Sequence, residues 1–544
     1  MIVFGGLFLD EIQYTLLLEA VRKTTESLGL LFQEEPLKLS HLKTTPEKIL
    51  KSVFGYSSFR PLQKEIIDNV LMGRDTLAVM PTGGGKSLCY QIPALLMPGM
   101  TIVVSPLIAL MQDQVSQLEN YGVEAAYLNS SLDRNSFISV IRKIHSGKLK
   151  LLYVSPERLN TQQMQDLLHS ENIEIDCITI DEAHCISEWG HDFRPDYLEL
   201  SHIRRQFPKA VCLALTATAT SIVKKDIAKN LHMDNPEILT ASFNRKNIFI
   251  QVAKKESDYL SQISSLVLEH PDESGIIYCL SRKKVDEVYT FLKGQRISVL
   301  PYHAGLSDEE RKNNQKKFIQ DKVRIMVATV AFGMGINKPD VRYVIHSDMP
   351  KSIEQYYQEI GRAGRDGMPS TATLLFSAQD AHRIRFLFRD MEDSSKQEKL
   401  LQDMLIFCQT TSCRREKLLE YFGERFSSGM QNSPNEFRCC DICQAKLEKP
   451  KVEFRHFPKN TTSRKLNMEN SSDKILVDNL KTWRRKAADE LGVPPYVIFG
   501  DRTLYEIASK KPKSTTELLA CNGIGEMKAE KFGYYILRII KNCQ

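Results

Sequence analysis

Ten apolar, β-rich runs, arranged in two series, most limit what this 544-residue chain can become. TLAVM (76–80), TIVVSP (101–106), LLYVSP (151–156), CITID (177–181) and VCLALTA (211–217) form the first series. GIIYC (275–279), ISVLPYH (297–303), RIMVATV (324–330), VRYVIHS (341–347) and TATLLFS (371–377) form the second. A polar turn and a stretch of helical spacing follow each run. Near-continuous apolar strands are buried on both faces, and strand–helix alternation builds parallel sheets. The expectation is α/β: two parallel-sheet domains joined near SFNRKN (242–247), with functional loops at the carboxyl ends of the strands.

The boundaries follow from where the pattern starts and stops. Residues 1–45 read as a helical lead-in, 46–242 as the first α/β domain and 243–380 as the second. Residues 381–450 read as a helical subdomain holding a cysteine cluster, and 451–472 as a polar linker. Residues 473–544 read as helical throughout. Lys plus Arg number 73 against 67 Asp plus Glu, which permits a nucleic-acid partner without demanding one. No apolar run approaches the ~18 residues of a membrane span. The opening MIVFGGLFLDEIQ lacks a basic flank and meets Asp10 and Glu11 at once, so it does not read as a signal peptide. Twelve cysteines, scattered except for one cluster, suit a reducing intracellular compartment.

Three motifs carry chemistry. After TLAVM comes PTGGGKS (81–87), a glycine-rich turn from strand to helix whose backbone N–H groups can face a polyphosphate. Thr82, Gly83, Gly84 and Gly85 would form the cradle, Lys86 would reach the β and γ phosphates, and Ser87 would hold magnesium. The strict motif wants glycine at position 80, where this chain has Met80. At 178–184, ITIDEAH ends a second buried strand in two acids; Asp181 is assigned to magnesium and Glu182 to the general base. YYQEIGRAGRDG (356–367) places Arg362 and Arg365 three apart, a rigid cationic pair for charge developing on a γ phosphate.

These motifs, in order, resemble those of RecQ-family DNA helicases of superfamily 2. FGYSSFRPLQKEII (54–67) resembles the family's nucleotide-recognition motif, which implies that Gln63 reads adenine while Tyr56 and Arg60 hold the base. SPLIALMQDQV, ALTATAT, YHAGL, VATVAFGMGINKPDVR and QEIGRAGRDG match further motifs, and Gln358 falls in the last. The resemblance implies two tandem RecA-like domains, a helical zinc-binding subdomain and a small all-α HRDC-like domain. It also implies an ATP-driven DNA helicase, moving 3′ to 5′ in DNA repair and recombination, with ATP, Mg2+ and Zn2+. The segment after DEAH resembles the family's aromatic-rich loop, which senses single-stranded DNA. Bases would stack on Trp189 and Phe193 while Arg194 meets phosphate or another charge. His184 is expected to relay contact to the facing domain.

Four thiolates suit tetrahedral zinc. The cluster resembles the Werner-type variant, which implies Cys413, Cys439, Cys440 and Cys443 as ligands, with Cys408 in reserve. Residues 473–544 carry thirteen Lys and Arg against nine Asp and Glu. Lys481, Arg484 and Arg485 are expected to meet DNA phosphates, and Trp483, Tyr496, Ile498, Phe499 and Leu504 to form the core. About thirty residues separate Cys443 from residue 473, too few for the winged helix that most of the family carries there. That opens an alternative: a DNA-stimulated translocase or strand-annealing scaffold with weak unwinding. An RNA helicase is a second alternative. Expected partners are single-stranded and duplex DNA, with single-strand-binding or repair proteins and no membrane. The expected location is the nucleoid of a prokaryotic cytoplasm or a eukaryotic nucleus.

Overall fold

The computed structural model describes residues 2–4, 7–9, 44–129, 132–170, 173–188, 193–333, 338–388, 394–425, 439–447 and 471–543. Within 1–45, where a helical lead-in is expected, β1 (Ile2–Phe4) and β2 (Leu7–Leu9) pair antiparallel. The short apolar runs IVF and LFL read as well for two strands as for a helix. Residues 10–43 lie outside the described residues.

The first sheet has seven parallel strands. They are β3 (Thr76–Val79), β4 (Met100–Val104), β5 (Ala125–Leu128), β6 (Leu151–Val154), β7 (Ile175–Ile180), β8 (Val211–Thr216) and β9 (Glu237–Thr240). Their order is β5-β6-β4-β7-β8-β3-β9. The second sheet has six: β10 (Ile248–Lys254), β11 (Ser274–Tyr278), β12 (Val299–Tyr302), β13 (Ile325–Ala328), β14 (Val341–His346) and β15 (Ser370–Phe376). It runs β10-β15-β14-β11-β13-β12, also parallel.

Both faces of each sheet are covered, which is why the central strands carry no polar alternation. On β3, Leu77 and Val79 enter one core while Ala78 and Met80 enter the other. The order β7-β8-β3 sets the site: the ends of β3 and β7 flank Thr216, the last residue of β8. Thr216 holds both neighbours, accepting the Met80 N–H at 2.9 Å and bonding His184 Nδ1 through its hydroxyl at 2.9 Å.

Helices Ala378–Phe388, Ser395–Gln409, Arg414–Tyr421 and Asp441–Leu447 follow the second sheet. The last helices, Ser471–Leu491, Pro495–Ile498, Asp501–Lys510, Thr515–Leu519 and Glu526–Asn542, enclose their own core. Ile498, Phe499 and Leu504 are buried there as expected, and Trp483 stacks between Phe499 and Tyr535 at its margin. Tyr496 departs from expectation and faces a cavity shared with both sheets. Among the described residues, no helix is long and apolar enough to cross a membrane.

Candidate active site

The phosphate loop leaves β3 at its carboxyl end and enters helix Leu88–Leu96. Gly83 and Gly85 adopt φ of +82° and +83°, a region that strains L side chains. A Cβ on Gly85 would lie 2.5 Å from Gln63 Nε2. Carbonyls of the loop are held from outside: Arg60 donates to the Gly83 carbonyl and Gln63 to that of Gly85 at 2.9 Å. In a trans peptide the N–H points opposite to the carbonyl, so these bonds turn amides away from the side chains that hold the carbonyls. Gly84 closes the turn, its N–H donating to the Pro81 carbonyl at 2.8 Å. The helix that follows points its positive end at the loop.

Asp181 and Glu182 stand where β7 ends. Asp181 is buried, and burial followed by the charge of Glu182 pushes its carboxyl up to about 7, with Lys86 opposing. Two carboxylates held this way call for a cation, and oxygen donors from Asp181 and Ser87 suit magnesium. Glu182 sits at φ +49°, which for a residue with a Cβ costs about 1–3 kcal/mol. His184, expected to reach the facing domain, hydrogen-bonds Thr216 of its own sheet and lies 3.4 Å from Glu182. Its side chain is inside the first domain because the turn after Glu182 is a tight 3₁₀ helix packed against β8.

Arg362 and Arg365 come from the turn after helix Ile353–Ile360, across the cleft. Both line the same cavity, of about 580 Å³, as Lys86, Asp181 and Glu182. Burial first, then Arg362 and Arg245, pull the Arg365 guanidinium down to about 9. Crowded buried cations are relieved by a polyanion. Tyr56, Arg60, Gln63, Thr82, Gly83, Gly85, Ser87 and Gln358 of the expected set also line this cavity, whereas Gly84 is turned toward Pro81 and Met80. Gln63 is buried and accepts the Arg60 N–H at 2.8 Å while donating to Gly85, so its amide supports the loop directly.

Other expected residues fall elsewhere. Trp189 lies outside the described residues, and Phe193 and Arg194 are half-buried, the Arg194 N–H donating to the Cys185 carbonyl at 2.9 Å. Lys481 and Arg485 are exposed. Arg484, expected on that exposed face, is buried instead, donating to the Phe499 carbonyl at 2.9 Å and pairing with Asp501 at 2.8 Å. Asp501 in turn lies 3.5 Å from Arg342 of the second sheet, so the Arg484 guanidinium faces that contact and not solvent.

The sulfurs of Cys413, Cys439, Cys440 and Cys443 all lie within 4.8 Å of one another. Sγ–Sγ distances are 3.5 Å for 413–439, 3.7 Å for 439–443 and 3.9 Å for 440–413. Zinc–sulfur bonds of about 2.3 Å in a tetrahedron set sulfurs about 3.8 Å apart, so the four fit that ion. Cys408 stands outside the group, buried, its thiol pushed up to about 12 by burial.

Matches to known proteins follow the same order of parts. A DEAD/DEAH box helicase family matches residues 60–227, and a helicase conserved C-terminal domain matches 258–367. RecQ zinc-binding matches 378–444, and the HRDC domain matches 473–540. An "ATP-dependent DNA helicase RecQ" of Pasteurella multocida is 37% identical, over 94% of this chain and 95% of the relative. The chain belongs to the RecQ family. A Bacillus subtilis protein of the same description is 36% identical over 91% of this RecQ chain and 98% of its own. A solved structure of S. cerevisiae Dbp5 bound to RNA and ADP BeF3 aligns with a TM-score of 0.51 at 18% identity. It covers 64% of this chain and 94% of Dbp5, and shows the shared two-sheet fold alone.

Three features of this RecQ helicase were given no role by the motifs. Tyr197, in the stretch after DEAH, is buried and donates its hydroxyl to the Asp181 carbonyl at 3.0 Å. Arg245, in the joining segment, reaches the Thr82 carbonyl. The HRDC domain forms a third wall of the cavity through Tyr496, Arg502, Lys528 and Phe532. There the Gly523 N–H donates to the Gly55 carbonyl at 3.0 Å. A Cβ on Gly55 would lie 2.7 Å from Gly525 N, so close approach of two backbones admits only glycine.

Proposed function

We propose that this RecQ helicase hydrolyses ATP in the cleft between its sheets and steps 3′ to 5′ along single-stranded DNA, unwinding duplex in repair and recombination. One observation carries the reading: Lys86, Asp181, Glu182, Arg362 and Arg365, from both domains, surround a single cavity. Glu182 takes a proton from water as its oxygen attacks the γ phosphorus and the bond to the β-phosphate oxygen breaks, releasing ADP. Lys86, Arg362 and Arg365 stabilise charge on the transferring phosphoryl group. Tyr56, Arg60 and Gln63 position the base end, with Thr82 to Gly85 and Gln358 around the phosphates. Ser87 and Asp181 would hold magnesium, which when bound neutralises phosphate charge.

DNA would meet Trp189, Phe193 and Arg194, with Tyr197 linking that stretch to Asp181. The exposed Lys481 and Arg485 of the HRDC domain would add phosphate contacts, and Tyr534 and Tyr535 are exposed on the neighbouring helix. Cys413, Cys439, Cys440 and Cys443 would hold structural zinc, a role supported by their spacing and by the match to RecQ zinc-binding. Work on the chromosome would place the protein in a nucleoid or a nucleus, beside single-strand-binding or repair proteins.

The short segment between Cys443 and residue 473 favours a second reading, a translocase that unwinds weakly. The Pasteurella alignment runs to 617 positions, more than this chain's 544 residues, so the relative carries residues without counterpart here. Unwinding of 3′-tailed and 5′-tailed duplexes, with ATP and magnesium, decides. Unwinding of the 3′-tailed substrate alone is expected. DNA-stimulated hydrolysis with neither duplex opened would replace the first reading by the second; stimulation by RNA alone would replace both.

A further inference from the structure

We infer that Arg245 is a positioning residue that holds the phosphate loop and the arginine-bearing turn in register across the cleft. The inference rests on the reading of Arg362 and Arg365 as groups that act on the transferring phosphoryl.

Arg245 lies in the segment joining the two sheets, and its guanidinium spans both. Nη1 donates to the Thr82 carbonyl in the phosphate loop and to the Gly361 carbonyl at 3.2 Å. Nη2 donates to the carbonyls of Ala363 and Gly364, each at 2.9 Å. Those three carbonyls bracket Arg362 and directly precede Arg365. One planar group therefore touches the loop that cradles phosphate and the turn that supplies the opposing cations. A Cβ on Gly83 would lie 3.3 Å from both Arg245 Nη1 and Arg365 Cγ, so both arginine side chains pack against the Gly83 backbone.

The hydrogen-bond partners are carbonyl oxygens, plus a long contact from Nε to Asn247 Oδ1 at 3.5 Å. No carboxylate of the described residues forms an ion pair with Arg245, and burial lowers its pKa. A buried cation satisfied by carbonyls from two domains costs more than a surface one, and that cost is met only while both sets of carbonyls are present. The anchor is rigid. Asn247 Nδ2 donates to the carbonyls of Gly364 and Met368 at 2.8 Å each. Arg415 donates to the carbonyl of Arg245 itself at 2.7 Å and to that of Cys439 at 3.3 Å. The joining segment is thus pinned from behind by the cysteine-bearing subdomain, while its arginine reaches forward into the cleft.

A group with this placement affects the transition state more than ground-state binding, because misplacing opposing cations by about 1 Å costs on the order of 100-fold in rate. Steady-state DNA-stimulated ATP hydrolysis of full-length R245Q and R245K tests it. The expected result for R245Q is a kcat about 100-fold down with the KM for ATP within about threefold. R245K keeps the charge, and with it the fold, but lacks the planar fork, so little of the rate should return. A second measurement compares ADP binding with ADP trapped by aluminium fluoride, a mimic of the transferring phosphoryl group. Both variants should bind ADP like the parent and fail to trap it. Parent-like kcat in R245Q, full rescue by R245K, or equal losses of ADP affinity and trapping would each overturn the inference. R362Q and R365Q run alongside. If they retain hydrolysis, the reading of the arginine turn is wrong; if they lose it while R245Q does not, the role of Arg245 alone falls.

Discussion

Glu182 shows what the site demands of single residues. Its backbone is left-handed, at φ +49°, and its Oε2 is buried without a hydrogen bond. Both features carry a local cost to the fold, consistent with a residue kept for the proposed general-base role. E182Q should therefore fold normally, with melting unchanged or slightly raised, while steady-state hydrolysis falls by about 10²–10⁴-fold. K86A should show a comparable loss of hydrolysis with folding intact. Tyr197 would give the proposed coupling between DNA and chemistry a physical route, since its hydroxyl touches the Asp181 carbonyl. Trp189→Ala should remove DNA stimulation while leaving the basal rate. Stimulation equal to the parent's would sink the proposed role of this stretch.

At the level of elements, burial decides what could be read ahead of the structure. All ten apolar runs are strands; nine are interior, where both faces must be apolar, and the tenth, β12, is an edge strand. The strands without such a signal, β5, β9 and β10, are sheet edges. β9 is largely exposed, and β10 carries Gln251 and Lys254, so neither reads as an apolar run. The paired acids, glycine-rich loop and arginine pair stood out in the sequence because the chemistry proposed for them needs particular residue types at fixed spacing, and the structure brings them to one cavity. Arg484 was not, since a basic run on a helix looks the same whether one member faces solvent or Asp501. Arg245 gave no signal either, because its partners are carbonyls from distant parts of the chain. The cysteine group ties helix Arg414–Tyr421 to helix Asp441–Leu447, with Arg414 and Asp441 paired at 2.7 Å beside it. C440S should lower bound zinc, read by atomic absorption, and lower the melting temperature; a full complement of metal would show that the ligand set is wrong.

For the whole molecule, the HRDC domain is the part whose placement no local pattern announced. Arg342 of the second sheet pairs with Asp366 and lies 3.5 Å from Asp501, which also pairs with Arg484. Burial alone would raise the Asp501 carboxyl, but Arg484 and Arg342 outweigh it and hold it at about 2. A depressed carboxylate stabilises docking above its unfolded value of about 3.9, and that contribution is lost as pH falls toward 2. D501N leaves the buried Arg484 guanidinium without its carboxylate, while Arg342 keeps Asp366, a loss of about 3–5 kcal/mol. It should speed hydrogen exchange at the Gly523 amide, and unchanged protection would show that the ion pairs do not hold the domain.

The cysteine group has a further consequence through β10. This edge strand already spends one side on β15, and on the other its Ile250 N–H donates to the Cys439 carbonyl at 3.3 Å while the Val252 N–H donates to Asp441 Oδ2 at 3.2 Å. The subdomain therefore caps a row of amides that would otherwise be a template for another chain. Stripping the zinc proposed for these thiolates with a chelator should make the protein precipitate in a concentration-dependent way, through intermolecular strand pairing, before the proposed catalytic residues are disturbed. Light scattering during chelation, set against hydrolysis at high dilution, would separate loss of solubility from loss of chemistry.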